Sequence, residues 1–115
     1  MVYFYLFLCG AFGVGTRYII ATYVPTFAFP WTTLFINVFG SFAIGWLHSL
    51  PIEWNKDIYT GLTIGLLGGF TTFSTFSLET ILLFRNGQLF WGILNIFSQV
   101  VLSLLFCYLG TIIIK

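Results

Sequence analysis

The sequence predicts an all-α membrane protein with four transmembrane helices, the third of them broken near its centre. Three observations point to this class. Only 6% of the residues are charged and 59% are hydrophobic, whereas a soluble domain carries roughly 25% charged residues. Too few polar side chains are present to cover the chain in water. The apolar residues fall in four runs, each close to the ~20 residues that a helix needs to cross a bilayer. Finally, Gly68-Gly69-Phe70-Thr71-Thr72-Phe73-Ser74-Thr75-Phe76-Ser77 places paired glycines and a run of hydroxyls at about midplane depth in the third run. Hydroxyls there are costly unless they face protein or a water-filled path, so an interrupted helix is expected.

The four spans make one transmembrane domain over residues 1–115. The first span covers about residues 2–23 and stops before Pro25. The segment Val24–Pro30 carries two prolines, which discourage helix continuation. The second span covers about 31–49, with Pro51 beyond it. Ile52–Asp57 is the charged loop, holding Glu53, Lys56 and Asp57. The third span covers about 58–84 and contains the hydroxyl run. Arg85-Asn86-Gly87-Gln88 reads as a turn, and the fourth span covers about 89–114. No cleavable leader is expected, because the N-terminus lacks a basic stretch and runs straight into a long span.

Charge does not choose an orientation. With four spans, Lys56 and Lys115 share one side and Arg85 and Arg17 the other, so the positive-inside tally is balanced. Two readings stay open: Arg17 is intramembrane and the tally carries no information, or the protein inserts both ways and pairs head to tail. Small and polar residues mark helix-packing or path-lining stripes. They are Gly10, Gly13 and Arg17 on the first span, and Asn37, Ser41, Gly45 and His48 on the second. Gly61, Gly65 and Gly69 mark the third, and Asn95, Gln99 and Ser103 the fourth. Four spans enclose a pore poorly, so oligomerisation is expected.

No enzyme signal is present. His48 has no Cys, Asp or Glu at ligand spacing and reads as an interfacial polar residue. Cys9 and Cys107 lie inside apolar spans and read as small buried residues. A net charge of +1 without a basic run gives no reason to expect nucleic acid. The polar residues at depth are the candidates for function. Asn37 offers two N–H donors and one acceptor. Alone it would read as a helix–helix hydrogen bond, but Ser41 shares its face and the hydroxyl run lies at similar depth. Together they supply donors for an anion. Phe73 and Phe76, at i and i+3, read either as core packing or as rings whose electropositive edges hold a small anion. Spacing does not decide between these. The helix break would expose carbonyls near Gly68–Thr71, which favour a cation, and N–H groups near Thr72–Thr75, which favour an anion or a capping hydroxyl. Arg17 and Glu79, the charges deep in the spans, are expected at similar depth. They form either an ion pair or, through Arg17, an anion-gathering vestibule.

Three segments carry a family resemblance. They are Gly10-Ala-Phe-Gly13-Val-Gly-Thr-Arg17-Tyr18, Thr33-Leu-Phe-Ile-Asn37-Val-Phe-Gly40-Ser41, and Gly68-Gly-Phe-Thr71-Thr72-Phe73-Ser74-Thr75-Phe76-Ser77-Leu-Glu79. In this order, and with this length and layout, the sequence resembles the CrcB/Fluc family of fluoride channels over essentially the whole chain. The resemblance implies an antiparallel, dual-topology homodimer in the bacterial plasma membrane, with two fluoride pores. Phe73 and Phe76 would present ring edges to fluoride, Asn37 would be the pore asparagine, and Ser74 and Thr75 would lie in the hydroxyl track beside them. A structural sodium ion at the dimer axis would be held by backbone carbonyls of Gly68 and Thr71 from both subunits. The fourth span departs from the pattern: Asn95 takes the place of a tyrosine found in some members, and Asn95, Gln99 and Ser103 are its pore-lining candidates. The implied activity is passive export of fluoride that entered as neutral HF, with no nucleotide site required and no protein partner beyond the second copy. A small multidrug-resistance-type exporter is the alternative of similar size, but it needs a carboxylate in its first span, where this chain has Arg17. A membrane scaffold would explain the glycine stripes and not the central hydroxyl-and-Phe cluster.

Overall fold

The computed structural model describes residues 1–25 and 28–114. Four helical rods account for nearly all of them. The first two are α1 (Val2–Tyr23) and α2 (Trp31–Ser49). The third rod, Lys56–Arg85, is composite. It comprises α3 (Lys56–Thr60), a π-helical stretch (Gly61–Leu67), α4 (Gly68–Phe70) and α5 (Phe73–Arg85). The fourth rod is α6 (Leu89–Ile112). No strand occurs among the described residues.

Three rods are long and apolar enough to cross a membrane: α1, Lys56–Arg85 and α6. The expectation of four apolar spans is therefore met on composition by three. α2 has 19 residues, about 28 Å at 1.5 Å per residue, so its length suffices. Its hydropathy is diluted by Thr32, Thr33, Asn37, Ser41, His48 and Ser49. These residues are not spread at random, because Thr33 is buried and Asn37 is hydrogen-bonded inside the chain.

Local chemistry explains where the rods start and stop. α1 ends at Tyr23 because Val24 turns extended, ahead of Pro25. Asn55 caps α3, its Oδ1 accepting from Asp57 N at 2.9 Å and Ile58 N at 3.2 Å. That cap draws Lys56 and Asp57, expected in the loop, into the helix. α5 ends in a glycine turn: Gly87 adopts φ +75°, Gly87 N donates to Phe84 O at 3.1 Å and Gln88 N to Leu83 O at 2.9 Å. This two-bond closure needs a residue free to take a left-handed conformation, and Gly supplies it.

The break in the third rod is a change of partner. The stretch before it, through the π-helical turns and α4, packs along α1; the stretch after it, α5, packs on α6. α2 and α6 pack along each other and make the most extensive helix pair. Two of these seams admit no side chain. A Cβ on Gly13 would fall on the Leu66 carbonyl, and one on Gly65 would sit 3.1 Å from Leu6 O. Between α2 and α6, a Cβ on Gly45 would fall on the Cys107 carbonyl, and one on Gly110 on the Phe42 carbonyl. Backbone-to-backbone approach of this kind is how helices associate where water supplies no driving force.

Candidate functional site

At the break, Thr71 (φ −82°, ψ 159°) and Thr72 (φ −150°, ψ 117°) are extended. Two extended residues interrupt the i→i−4 ladder, so several backbone groups need other partners. Thr72 N would have closed onto Gly68 O; it donates instead to Asn37 Oδ1 at 2.8 Å. Thr75 N would have closed onto Thr71 O; it donates instead to Thr72 Oγ1 at 3.1 Å, which makes Thr72 the N-cap of α5. Gly69 O is taken by Arg17 Nε at 3.2 Å, and Thr72 O by Asn37 Nδ2 at 3.0 Å. Both residues whose carbonyls lose their ladder partner to a side chain, Gly68 and Thr71, belong to the pair that sequence reasoning set apart as a cation cradle. No group of three His, Cys, Asp or Glu side chains suited to a metal occurs among the described residues.

A cavity of about 340 Å³ opens beside the break. Asn37 and Ser41 line it from α2, Phe73 and Phe76 from α5, and Gln99 and Ser103 from α6. Thr71 and Thr72 form the wall at the break itself. The structure thus brings together six of the residues picked from sequence as an anion path. It contains no carboxylate, so nothing ionised as an anion lines this wall. The two phenyl rings meet edge to face, with centroids 5.3 Å apart at 65°. Their surroundings differ: Phe76 is 8% exposed and Phe73 is 76% exposed. Phe73 projects off its own chain, and Phe76 belongs to the core.

A second cavity of about 210 Å³ shares Thr72 with the first. Thr75, Arg17, Glu79 and Thr33 also line it. Arg17 and Glu79 thus face one space, as their depth predicted. The ion pair that depth allowed is not made: Arg17 Nε is held by Gly69 O, and Glu79 Oε1 is enclosed without a hydrogen-bond partner. The freed Gly69 carbonyl holds the guanidinium instead.

Three sequence-picked residues lie off the first cavity's wall. Ser74 is exposed, its Oγ 3.3 Å from Thr72 Oγ1. Thr75 belongs to the second cavity and sits 3.0 Å from Thr72 Oγ1. Asn95 is wholly buried, at 0% exposure, behind Gln99. It lies one turn before Gln99 on the stripe of α6 and is not on the wall that Gln99 and Ser103 line. Sequence reasoning also missed two residues. Thr72 caps α5 and lines both cavities; the sequence points to a capping hydroxyl near Thr72–Thr75 without choosing which. Thr80, 5% exposed, accepts from Asn95 Nδ2 at 2.8 Å; a threonine facing an Asn/Gln stripe was the available signal.

Comparison with known proteins bears on the whole layout. Residues 4–111 match the family described as CrcB-like protein, Camphor Resistance (CrcB). The chain belongs to this CrcB-like family. Among its relatives is a protein of Ruminiclostridium cellulolyticum named fluoride-specific ion channel FluC, 47% identical, the alignment covering 92% of this chain and 83% of the relative. A protein of the same name from Campylobacter fetus subsp. fetus is 45% identical, over 97% of this chain and 92% of the relative. One from Geobacter sulfurreducens is 44% identical, over 89% and 84%. Because these CrcB-like relatives align nearly end to end, the break, the cavity and both helix seams all lie inside the shared region.

Proposed function

We propose that this chain is a passive, fluoride-selective ion channel rather than an enzyme. The observation that carries the reading is the cavity at the helix break. Amide and hydroxyl donors from α2 and α6 face a phenylalanine pair across it, with no carboxylate on the wall, in a chain 47% identical to a protein named as a fluoride-specific ion channel.

The chemistry follows from the size and hydration of the ion. Fluoride is small and strongly hydrated, so crossing an apolar layer requires donors that replace its water. Ser41 and Ser103 supply hydroxyl donors along the cavity wall, where the carboxamides of Asn37 and Gln99 also lie. Ring edges of Phe73 and Phe76 add weak positive potential where no hydroxyl reaches. Arg17, facing the second cavity, raises the local concentration of anions. HF enters a cell as a neutral acid and dissociates inside. An open path then lets the anion leave down its gradient, and no coupling ion or nucleotide is involved.

The pore is completed by a second copy in the opposite orientation, giving two pores per dimer in a bacterial plasma membrane. Exposure of Phe73 supports this, since a ring 76% exposed in one chain is available to a partner's cavity. A sodium ion at the dimer axis fits the donors present: the carbonyls of Gly68 and Thr71 have lost their helical partners, and two chains would provide two of each. Bound there, it would tie the two breaks together electrostatically.

Liposomes loaded with fluoride or chloride and containing the purified protein test the reading. We expect rapid fluoride efflux and little chloride efflux. Absence of fluoride efflux from a folded preparation overturns it.

A further inference from the structure

The Asn37 carboxamide has no group to spare. Its Oδ1 accepts from Thr72 N at 2.8 Å, and its Nδ2 donates to Thr72 O at 3.0 Å and to Gln99 Oε1 at 3.1 Å. Gln99 Nε2 donates to Asn95 Oδ1 at 3.4 Å, Asn95 Nδ2 to Thr80 Oγ1 at 2.8 Å, and Thr80 Oγ1 to Phe76 O at 2.7 Å. This is one continuous chain from the first backbone N–H of the break to a carbonyl one turn into α5. Its interior is dry: Asn95 is 0%, Gln99 4% and Thr80 5% exposed.

The direction of the chain is fixed from one end. A backbone N–H can only donate, so Thr72 N requires the oxygen of Asn37. Asn37 must then present its NH₂ to Gln99, Gln99 its oxygen to Asn37 and its NH₂ to Asn95, and Asn95 its NH₂ to Thr80. The hydroxyl of Thr80 closes the series on Phe76 O. Reversing any one amide leaves a buried donor facing a donor, or an acceptor facing an acceptor. The orientation of Asn37 is therefore held through Gln99, on the cavity wall, by Asn95 and Thr80, which lie off it.

We propose that Asn95 and Gln99 are positioning residues that act on a passing anion through Asn37, with Asn95 never meeting the ion. On the fluoride-channel reading above, on which this rests, an ion receives an Asn37 N–H only when Gln99 Oε1 releases it. The long Gln99–Asn95 bond is the joint that yields.

Two measurements test this. The first is a double-mutant cycle in fluoride efflux, with Asn37→Leu, Asn95→Leu and the double variant. Asn95→Leu should slow efflux about tenfold, the order expected when a buried amide loses its partner. It should add nothing further in the Asn37→Leu background. Independent, multiplying effects would mean that Asn95 meets the ion directly and would overturn the proposal. The second measurement needs no transport: amide hydrogen exchange at Thr72, which Asn95→Leu or, should that variant fold poorly, Gln99→Met should accelerate about tenfold. Unchanged exchange at Thr72 overturns the proposal. If the wild type passes no fluoride, the channel reading fails, and exchange at Thr72 still decides the role of the chain.

Discussion

Phe73 and Phe76 are one helical turn apart, yet they are different kinds of residue. Phe76 is 8% exposed and Phe73 76% exposed, so one substitution has two effects. Phe→Ile at either position keeps apolar bulk and removes the electropositive ring edge. Both variants should lower fluoride efflux by at least about tenfold if ring edges contact the ion. Phe76→Ile should also cost about 1–2 kcal/mol of stability as a core change, whereas Phe73→Ile should leave an isolated chain's stability nearly unchanged. Efflux paired with thermal unfolding in detergent separates the two, and wild-type efflux in both variants would remove ring edges from the mechanism. Thr72 carries a different load. Thr72→Ala removes the cap of α5, costing about 1 kcal/mol, and Thr72→Ser should restore it. Alone, Asn37 would read as a helix–helix hydrogen bond; it was legible in the sequence because Ser41 shares its face and the hydroxyl run lies at similar depth. Thr72 was not. Thr71, Thr72, Ser74, Thr75 and Ser77 all carry hydroxyls, and only backbone dihedrals reveal which of them faces an orphaned N–H. Asn95 lies off the wall that Gln99 and Ser103 line, because a stripe repeating every four residues drifts around a helix of 3.6 residues per turn, so its members need not share a wall.

At the scale of elements, the break lets one rod serve two partners. α4 and the π-helical turns lie against α1, and α5 lies against α6. The seams of α1 and α2 are made by glycines whose missing Cβ is replaced by a neighbour's backbone. Gly45→Ala should therefore cost about 1–3 kcal/mol, since the new methyl falls on the Cys107 carbonyl and backbone cannot step aside cheaply. Gly15→Ala is the matched control: a Cβ there meets nothing within 4 Å, and helix propensity should make it neutral or stabilising by up to about 1 kcal/mol. Thermal unfolding of the two variants checks the contrast, and equal behaviour would mean that the α2–α6 seam is not tightly packed. Gly61, Gly65 and Gly69 could be read from sequence as a packing face because their spacing is explicit. The π-helical winding over Gly61–Leu67 could not. An i→i−5 bond such as Gly68 N to Thr63 O leaves no mark in a hydropathy pattern that already reads as helix. Likewise α2 was readable as a helix but not as half of the most extensive helix pair, because pairing is a property of two segments.

The described residues span 49 × 31 × 20 Å, long enough to cross a bilayer with its headgroups at about 40–45 Å and thin in one direction. Phe73 stands exposed on this slab, and charge bears on how the second copy proposed above would be oriented. Arg17 is bound to a carbonyl at the break, so it does not act as a loop charge. Lys56 and Lys115 then stand against Arg85, a difference small enough for insertion in both orientations. Weak bias can be made strong. Ile52→Lys with Glu53→Lys adds positive charge at exposed positions before α3, and Asn86→Lys with Gln88→Lys adds it at the exposed turn before α6, leaving Gly87 and its φ of +75° untouched. Each pair should drive the chain into one orientation, opposite for the two, as accessibility of introduced tags would report. If the active form is an antiparallel dimer, either variant expressed alone should yield almost no fluoride efflux, and co-expression should restore it. Neither variant alters a residue of the two cavities at the break, so restoration can only come from pairing opposed chains. Full efflux from one uniformly oriented variant would show instead that a single chain or a parallel pair encloses the path.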